Sequence, residues 1–250
     1  FILYGLIQGL TEFIPVSSTA HLIVLSHFFG LDEPGHSLSA VIQFGSVLAL
    51  IWYFRKDIFS LTSQSSRTFF DYFPNKRLLK SISVNTIPIM LLGGFIKFFV
   101  PNFFYDFFRS NLSITLITFI MTILMLVADN SKRGYVNLRN HKYSDSFLIG
   151  LSQAFAVFPG FSRSGVTISL ALIKGWERAD AAKFSFLLGI PAISLAAIVE
   201  FISYFNEYSF SNFLPIIISL FSTFISSLLA IDFLLKFYSS NGLKLFIIYR

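Results

Sequence analysis

Two apolar segments of this chain are each broken by a proline and carry serines and charged residues beside the break. Residues 8–21 read QGLTEFIPVSSTAH, and residues 153–165 read QAFAVFPGFSRSG. Proline lacks a backbone N–H and disfavours helical geometry in the residue before it, so we predict two half-helices in each segment. Glu12, His21 and Arg163 are costly to bury in hydrocarbon, and ionisable residues at membrane depth indicate a functional site.

The composition indicates a helical membrane protein with several spans. Hydrophobic residues make up 54% of the 250 residues and charged residues only 13%, whereas a soluble domain carries about 25% charged residues. The mean hydropathy is +0.71, and apolar runs that could cross about 30 Å of hydrocarbon recur along the chain. Six full spans are predicted, at 38–54, 82–100, 112–128, 184–205, 213–235 and from 243 onward. Because the chain contains no cysteine, disulfides and cysteine metal sites are excluded.

The net charge of +6 is spread over the loops rather than gathered in one basic patch, which argues against nucleic acid as a partner. Loops rich in lysine and arginine face the cytoplasm in membrane proteins. The basic loops are 55–81, 129–145, 174–183 and 236–244. The loops poor in positive charge, which we expect outside, are 30–37, 101–111 and 206–212.

This charge pattern is consistent only if residues 1–29 and 146–173 enter the membrane and return to the same side. We therefore predict an all-α polytopic fold with two re-entrant helical hairpins, arranged as an inverted-topology repeat. The first repeat covers about 1–128 and the second about 146–250, within a single integral membrane domain. Since the chain starts without methionine and stops within an apolar run, we also expect it to be truncated at both ends.

The two proline breaks are predicted to form an anion-binding pocket. One half-helix would begin at Ser17 or Ser18 and another near Ser162 to Ser164. Helix N-termini offer free N–H groups and partial positive charge. Arg163 adds a planar set of donors that matches two phosphate oxygens at once. The pocket is therefore suited to a phosphate or a diphosphate.

Glu12 and His21 indicate chemistry in addition to anion binding. A carboxylate repels a phosphate unless a divalent cation lies between them or the carboxylate takes up a proton, and histidine can move protons near neutral pH. Gln8 and Glu12 are four residues apart and share a helix face. His21 is likewise spaced to share a helix face with Ser17 or Ser18. A hydroxyl, a nearby base and a cationic group together predict phosphoryl transfer, that is, hydrolysis of a phosphoanhydride or phosphoester.

Residues 8–21 resemble the first signature of the bacterial undecaprenyl-diphosphate phosphatases, a family linked to bacitracin resistance. Residues 159–165, PGFSRSG, resemble its second signature, and residues 41–46, VIQFGS, are also similar to that family. The resemblance implies removal of the terminal phosphate of undecaprenyl diphosphate, which recycles the lipid carrier of cell-wall synthesis. It also implies a divalent cation, Mg²⁺ or Ca²⁺, and a multi-pass protein of the bacterial plasma membrane whose active site faces outward.

By position in the motifs, the resemblance implies four catalytic residues. Glu12 is the catalytic carboxylate, Ser18 is the nucleophile or a phosphate ligand, and His21 is the proton partner of Ser18. Arg163 binds the phosphate. Spacing alone does not distinguish Ser17 from Ser18 as the nucleophile. The candidate substrate-binding residues, most of which have helix–helix hydrogen bonding as an alternative role, are Ser17, Thr19, Ser162, Ser164 and Gln43.

The candidate metal ligands are Glu12 and Gln8. Two positions depart from the family pattern, because Gln8 is glutamate in some members and Ala20 replaces the usual glycine. The expected partners are the polyprenyl diphosphate lipid and the membrane lipids, and the sequence leaves a homodimer open.

The main alternative function is transport or flipping of a phosphate-bearing lipid or anion through the same site. Inverted repeats with helices broken at the membrane midplane are typical of secondary transporters. Glu12 with Ser18 and His21 favours hydrolysis, because simple passage of an anion gains nothing from a nearby carboxylate. A second class, the lipid phosphatases with a Ser-Arg-x5-His signature, does not fit, because Ser169 stands where that histidine should be.

Overall fold

The structure, a computed structural model, describes residues 1–30, 36–62, 75–131, 134–207 and 213–250. Most of this part of the chain is helical. The helices are α1 (Ile2–Phe13), α2 (Ser18–Phe29), α3 (His36–Tyr53), α4 (Arg55–Thr62), α5 (Asn75–Phe99), α6 (Asn102–Arg109), α7 (Asn111–Asp129), α8 (Tyr143–Ser152), α9 (Arg163–Ile173), α10 (Arg178–Glu207), α11 (Phe213–Ser240) and α12 (Lys244–Tyr249). A 3₁₀ turn at Gln153–Val157 follows α8. The described residues form no β-strand, which confirms the all-α class.

Among the described residues, four helices are long and apolar enough to cross a membrane, so the protein is multi-pass. They are Arg77–Phe99, Asn111–Asp129, Arg178–Val199 and Leu214–Ser240, and they coincide with four of the predicted spans. The spans predicted at 38–54 and from 243 onward coincide with α3 and α12, whose described apolar stretches are shorter. The predicted outer loops at 30–37 and 206–212 lie mostly outside the described residues, as do 63–74 and 132–133 of the basic loops.

Both proline-containing segments are interrupted where the sequence predicts. The residue before each proline, Ile14 and Phe158, has extended backbone, with ψ of 138° and 125°. Ser17 then adopts φ +71° and Gly160 φ +99°, a left-handed conformation that is easy for glycine and strained for serine. The chain re-enters a helix at Ser18 in the first segment, and after Ser162 in the second. Each segment therefore consists of two short helices joined by a non-helical break.

Helix α11 packs very closely on α1, which leads into the first proline break, and on α3. A Cβ atom at Gly9 of α1 would overlap the hydroxyl of Ser226 and lie 2.5 Å from the carbonyl oxygen of Thr223. Gly45 of α3 faces α11 in the same way, with a Cβ 2.6 Å from the carbonyl oxygen of Leu220. Small residues allow such close approach between helices in a membrane. This packing fixes the position of α1 and of the side chains at its end.

The core continues from the end of α1 into α10. Phe13, the last residue of α1, is fully buried and contacts Phe186 edge to face, with ring centroids 5.5 Å apart. This contact places the first proline break beside α10.

The loop that follows α7 is held by a buried histidine. His141 has no exposed surface; its Nδ1 donates to the carbonyl of Leu138 at 3.0 Å, and its Nε2 lies 3.1 Å from the Ser81 hydroxyl. The ring packs against Trp176, with centroids 5.3 Å apart. Burial lowers the pKa of His141, and the charge of Arg77 lowers it further, although the bond to Leu138 acts in the opposite direction. His141 is therefore held in its neutral form.

Candidate active site

The structure brings the two proline-containing segments into direct contact. Arg163 Nη2 lies 3.4 Å from Glu12 Oε1, which joins residues 151 positions apart. The backbone N–H of Gly160 donates to the Ser17 hydroxyl at 3.3 Å. Each contact joins a residue of the first segment to a residue of the second. The two segments therefore meet, as the sequence predicts.

The carboxylate of Glu12 is the centre of the site. Its Oε2 accepts hydrogen bonds from Ser18 Oγ and from Gln8 Nε2, each at 2.8 Å. Together with the Arg163 contact these residues form what we call the carboxylate cluster: Gln8, Glu12, Ser18 and Arg163. Only 9% of the Glu12 side chain is exposed. A carboxylate this close to a hydroxyl can accept its proton.

Arg163 is buried with unused hydrogen-bonding capacity. Only 8% of its side chain is exposed. Nη1 donates to the Ser185 carbonyl at 3.2 Å, Nη2 faces Glu12, and Nε has no partner among the described residues. Gly189 leaves room for the guanidinium, because a Cβ there would overlap it. A buried guanidinium with free donors is suited to an anionic ligand.

The serines beside Arg163 organise the start of α9. Ser162 caps the helix, accepting from the Gly165 N–H at 3.2 Å, and its hydroxyl lies 3.1 Å from that of Ser164. Ser164 also donates to the Ile14 carbonyl at 3.4 Å, across to the first segment. In contrast, the side chain of Ser17 makes no capping bond at the start of α2.

His21 makes different contacts from those that the family resemblance implies. Its Nδ1 lies 2.8 Å from the Ser17 carbonyl, and its Nε2 lies 2.8 Å from the Tyr249 hydroxyl. Since a carbonyl only accepts, Nδ1 carries the proton. The Tyr249 ring stacks on the imidazole, with centroids 5.7 Å apart and an interplanar angle of 8°. The Ser18 hydroxyl is bonded to Glu12 instead.

Thr19 and Gln43 lie outside this hydrogen-bonded network. Thr19 is partly buried in the first turn of α2, and Gln43 is partly buried on α3. Among the described residues, neither makes a hydrogen bond to the carboxylate cluster.

Sequence reasoning missed two residues that contact the breaks. Arg250 donates from Nη1 to the Pro15 carbonyl at 2.9 Å and from Nη2 to the Gly160 carbonyl at 2.6 Å. Its neighbour Tyr249 contacts His21, as described above. An arginine within the apolar run that starts at residue 243 is a signal of the same kind as Arg163 and could have indicated this contact.

The donor set of the carboxylate cluster is compatible with a hard divalent cation. Glu12 supplies a carboxylate, Ser18 a hydroxyl, and Gln8 an amide oxygen, Oε1, that is buried without a partner among the described residues. Oxygen ligands of this kind suit Mg²⁺ or Ca²⁺. The part of the chain that the structure describes contains no group of three or more His, Cys, Asp or Glu that could hold a metal. A cation here would therefore need further oxygens from a phosphate ligand.

Comparison with known proteins gives a family assignment over the whole chain. Residues 1–250 match the family model described as Bacitracin resistance protein BacA. The chain is similar to an undecaprenyl-diphosphatase of Prochlorococcus marinus strain MIT 9312, with 70% identity over 250 residues that cover 100% of this chain and 93% of the relative. An undecaprenyl-diphosphatase of strain MIT 9313 is 43% identical over 249 residues, covering 98% of this chain and 83% of that relative. The resemblance seen in the motifs is confirmed, and the chain belongs to the BacA family of bacitracin resistance proteins.

Proposed function

We propose that this protein hydrolyses undecaprenyl diphosphate to undecaprenyl phosphate and inorganic phosphate, and so recycles the lipid carrier of cell-wall synthesis. The single observation that carries this proposal is the buried contact of Ser18, Glu12 and Arg163, which combines a hydroxyl, a base and an anion-binding group. The undecaprenyl-diphosphatases to which the chain is similar support the same activity, at up to 70% identity.

The chemistry follows from the hydrogen bonds of the carboxylate cluster. The Ser18 hydroxyl attacks the terminal phosphorus while its proton passes to Glu12 Oε2. The bond between that phosphorus and the bridging oxygen breaks, and undecaprenyl phosphate leaves. The departing undecaprenyl phosphate takes up the proton that Glu12 received. Water then attacks the phosphoserine phosphorus, Glu12 accepts a proton of the water and passes it to the Ser18 oxygen as the bond between that oxygen and phosphorus breaks, and phosphate is released. Arg163 stabilises the negative charge on the transferred phosphoryl group through donors such as Nε, which has no partner among the described residues.

A divalent cation, Mg²⁺ or Ca²⁺, would be held by Glu12 and Gln8 together with diphosphate oxygens, where it would neutralise part of the phosphate charge. For His21 to act as the proton partner of Ser18, its Nε2 would have to leave the Tyr249 hydroxyl. Thr19 and Gln43 remain candidate substrate ligands.

We place the site in two re-entrant hairpins, α1–α2 and α8–α9, related as an inverted repeat. Their helices contain 10 to 12 residues, or about 15 to 18 Å at 1.5 Å per residue, well short of a bilayer core of about 30 Å. The breaks between them carry polar groups that only a protein-lined or watered cavity tolerates at depth. The basic loops then face the cytoplasm, and the site opens to the outer face of the bacterial plasma membrane.

Phosphate release by the purified chain in detergent tests the proposal. Ser18→Ala should lower kcat about 1000-fold, because the nucleophile is lost. Ser169→Ala is a matched control, because Ser169 is a buried serine whose hydroxyl has no partner among the described residues. Labelled phosphate trapped on Ser18 supports the covalent step. Flux of the lipid across vesicles without phosphate release would instead support the transporter alternative, and size-exclusion chromatography would test for the homodimer.

A further inference from the structure

A cavity of about 300 Å³ lies between the second and third turns of α5 and the first turn of α8, and it shares no residue with the carboxylate cluster. Its lining residues are Lys80, Ser81, Val84, Asn85, Tyr143 and Phe147. Val84, Tyr143 and Phe147 are 39%, 45% and 43% exposed, so the cavity opens on the outer surface of the helices. It lies at the start of the candidate span Arg77–Phe99, where a helix passes from the lipid head groups into the hydrocarbon.

The wall of this cavity contains a buried donor that nothing in the described structure satisfies. Asn85 is 2% exposed, and its Nδ2 has no hydrogen-bond partner among the described residues. The neighbouring Ser81 hydroxyl is already used, because it bonds to His141 Nε2. Buried polar groups are normally paired, so an unpaired amide on a residue that lines a cavity points to a missing acceptor.

Two cations lie at one side of the same cavity. The guanidinium of Arg77 and the ammonium of Lys80 lie 4.9 Å and 5.6 Å from the centroid of the Tyr143 ring. Asp145, the acidic residue in the first turn of α8, is paired with Lys174 at 3.5 Å. The positive charge at this end of the cavity is thus available to an anion.

We propose that this cavity binds the phosphate head group of an anionic membrane phospholipid. The phosphate lies beside Lys80 and Arg77, the Asn85 amide donates to one of the lipid oxygens, and the start of an acyl chain lies along Val84 and Phe147. The apolar mouth, the cationic side and the unpaired donor match the three parts of such a lipid. The proposal does not depend on the proposed hydrolysis.

The thermal midpoint of the purified full chain in detergent, with phosphatidylglycerol or phosphatidylcholine added, tests this site. Phosphatidylglycerol should raise the midpoint by about 3 °C or more, and phosphatidylcholine should not. Lys80→Ala should remove at least half of the rise, and Asn85→Asp should remove nearly all of it by placing a negative charge at the phosphate. Lys244→Ala, which removes an exposed cation elsewhere, should retain the rise.

Three results would overturn the proposal. The first is an equal rise in thermal midpoint with both lipids. The second is an equal loss of that rise in the Lys80→Ala and Lys244→Ala variants. The third is a rise with inorganic phosphate alone as large as that with phosphatidylglycerol. The last result would assign the site to a free anion. If Asn85→Asp does not fold, Asn85→Ala keeps the cavity neutral, and it should weaken the lipid effect without reversing it.

Arg250 and Tyr249, at the end of α12, contact the two proline-containing segments. Breaking a helix leaves backbone carbonyls without their helical partners, and such groups are costly to leave unpaired in a membrane. Arg250 donates to one carbonyl in each break, those of Pro15 and Gly160. Tyr249 meanwhile bonds and stacks on His21, in the first turn of α2.

We infer that Arg250 and Tyr249 are positioning residues for the proposed hydrolysis. Arg250 fixes the distance between the two breaks, and hence between Glu12 on one segment and Arg163 on the other. Tyr249 holds the His21 ring and so the orientation of the first turn of α2, which begins at Ser18. Both terminal nitrogens of Arg250 donate to protein carbonyls, so its contacts hold the two breaks together, while its Nε has no partner among the described residues.

Steady-state kinetics separate positioning from substrate binding. Arg250→Ala should lower kcat about 100-fold with KM changed less than about threefold, as expected when reacting groups are displaced by about 1 Å. Lys244→Ala, in the same helix, is the control for loss of charge. A rise in KM with unchanged kcat would make Arg250 a substrate ligand and overturn the inference, as would kinetics equal to those of the control.

Hydrogen exchange gives a readout that does not require activity. In Arg250→Ala the amide of Gly160, which bonds to Ser17 Oγ, should exchange faster than in the native chain, whereas unchanged exchange counts against the inference. If the alanine variant does not fold, Arg250→Gln keeps a donor for one carbonyl and should show intermediate effects. A native chain that releases no phosphate contradicts the proposed hydrolysis, while the exchange measurement still tests the role of Arg250 in holding the breaks.

Discussion

The Ser18 hydroxyl donates to Glu12 Oε2 across 2.8 Å, so the serine and its base are already paired before substrate arrives. Glu12→Gln keeps the shape of the side chain but removes the proton acceptor, and we expect kcat to fall by about 1000-fold. Glu177→Gln, the same substitution at an exposed glutamate, is the control. Turnover within about threefold of the native rate would exclude Glu12 as the base.

Chelation tests the cation that Glu12 and Gln8 would hold. Activity should be lost in EDTA and should return when Mg²⁺ or Ca²⁺ is added in excess, because a single carboxylate and an amide oxygen bind a cation only weakly without the substrate. The measurement is phosphate release at fixed substrate. Full activity in the chelator would remove the cation from the mechanism.

Gly189 sets the position of the Arg163 guanidinium. A Cβ at this position would overlap the guanidinium, so Gly189→Ala should displace it and reduce kcat/KM by about 100-fold. Gly93→Ala is the matched control, because a Cβ at Gly93 meets no described residue within 4 Å. The thermal midpoint of each variant should be measured beside its kcat/KM, so that a loss of activity is separated from a loss of fold.

The close packing of α1 on α11 predicts a large effect on stability. Gly9→Ala places a Cβ against Ser226 and the Thr223 carbonyl and should destabilise the protein by roughly 1–3 kcal/mol. Gly94→Ala, where the space is open, should be neutral or stabilising by up to about 1 kcal/mol, because alanine favours helix over glycine. Unfolding in mixed detergent measures both, and equal stability of the two variants would contradict the packing argument.

His141 predicts a dependence of stability on pH. Its pKa is lowered in the folded protein, while the unfolded imidazole takes up a proton below about pH 6.5. The stability that neutral His141 contributes is therefore present above about pH 6.5 and is lost as the pH falls towards the lowered pKa. His141→Asn, which keeps a donor for the Leu138 carbonyl, should flatten this part of the profile of thermal midpoint against pH. His27 is exposed, and His27→Asn should leave the profile of thermal midpoint against pH unchanged.

Local sequence signals predicted the elements that depend on local physics. The extended backbone at Ile14 and Phe158 follows from the proline after each, and the start of α9 at Arg163 lies within the predicted range of Ser162 to Ser164. Four of the six predicted spans follow from length and hydropathy alone. The meeting of the two segments was predicted from the expectation that their serine-rich breaks form one anion pocket, whereas the ion pair of Glu12 with Arg163 that joins them was not.

The partners of individual atoms could not be predicted in this way. The bond of Ser18 to Glu12, with His21 bonded to Tyr249, depends on the rotation of α2 about its axis, which neither spacing nor hydropathy determines. The contact of Arg250 with Pro15 joins residues 235 positions apart, and no local pattern at Pro15 indicates which distant donor its carbonyl will find.

The bond from Arg250 to the first break also has a consequence for biosynthesis. Helices are delivered to the membrane in the order in which the ribosome makes them, so α1 and α2 are inserted long before α12 arrives. During that interval the Pro15 carbonyl lacks its hydrogen bond from Arg250. The newly made enzyme should therefore reach full activity only when α12 is in place, and ribosome-bound intermediates that lack it should cleave their lipid far more slowly.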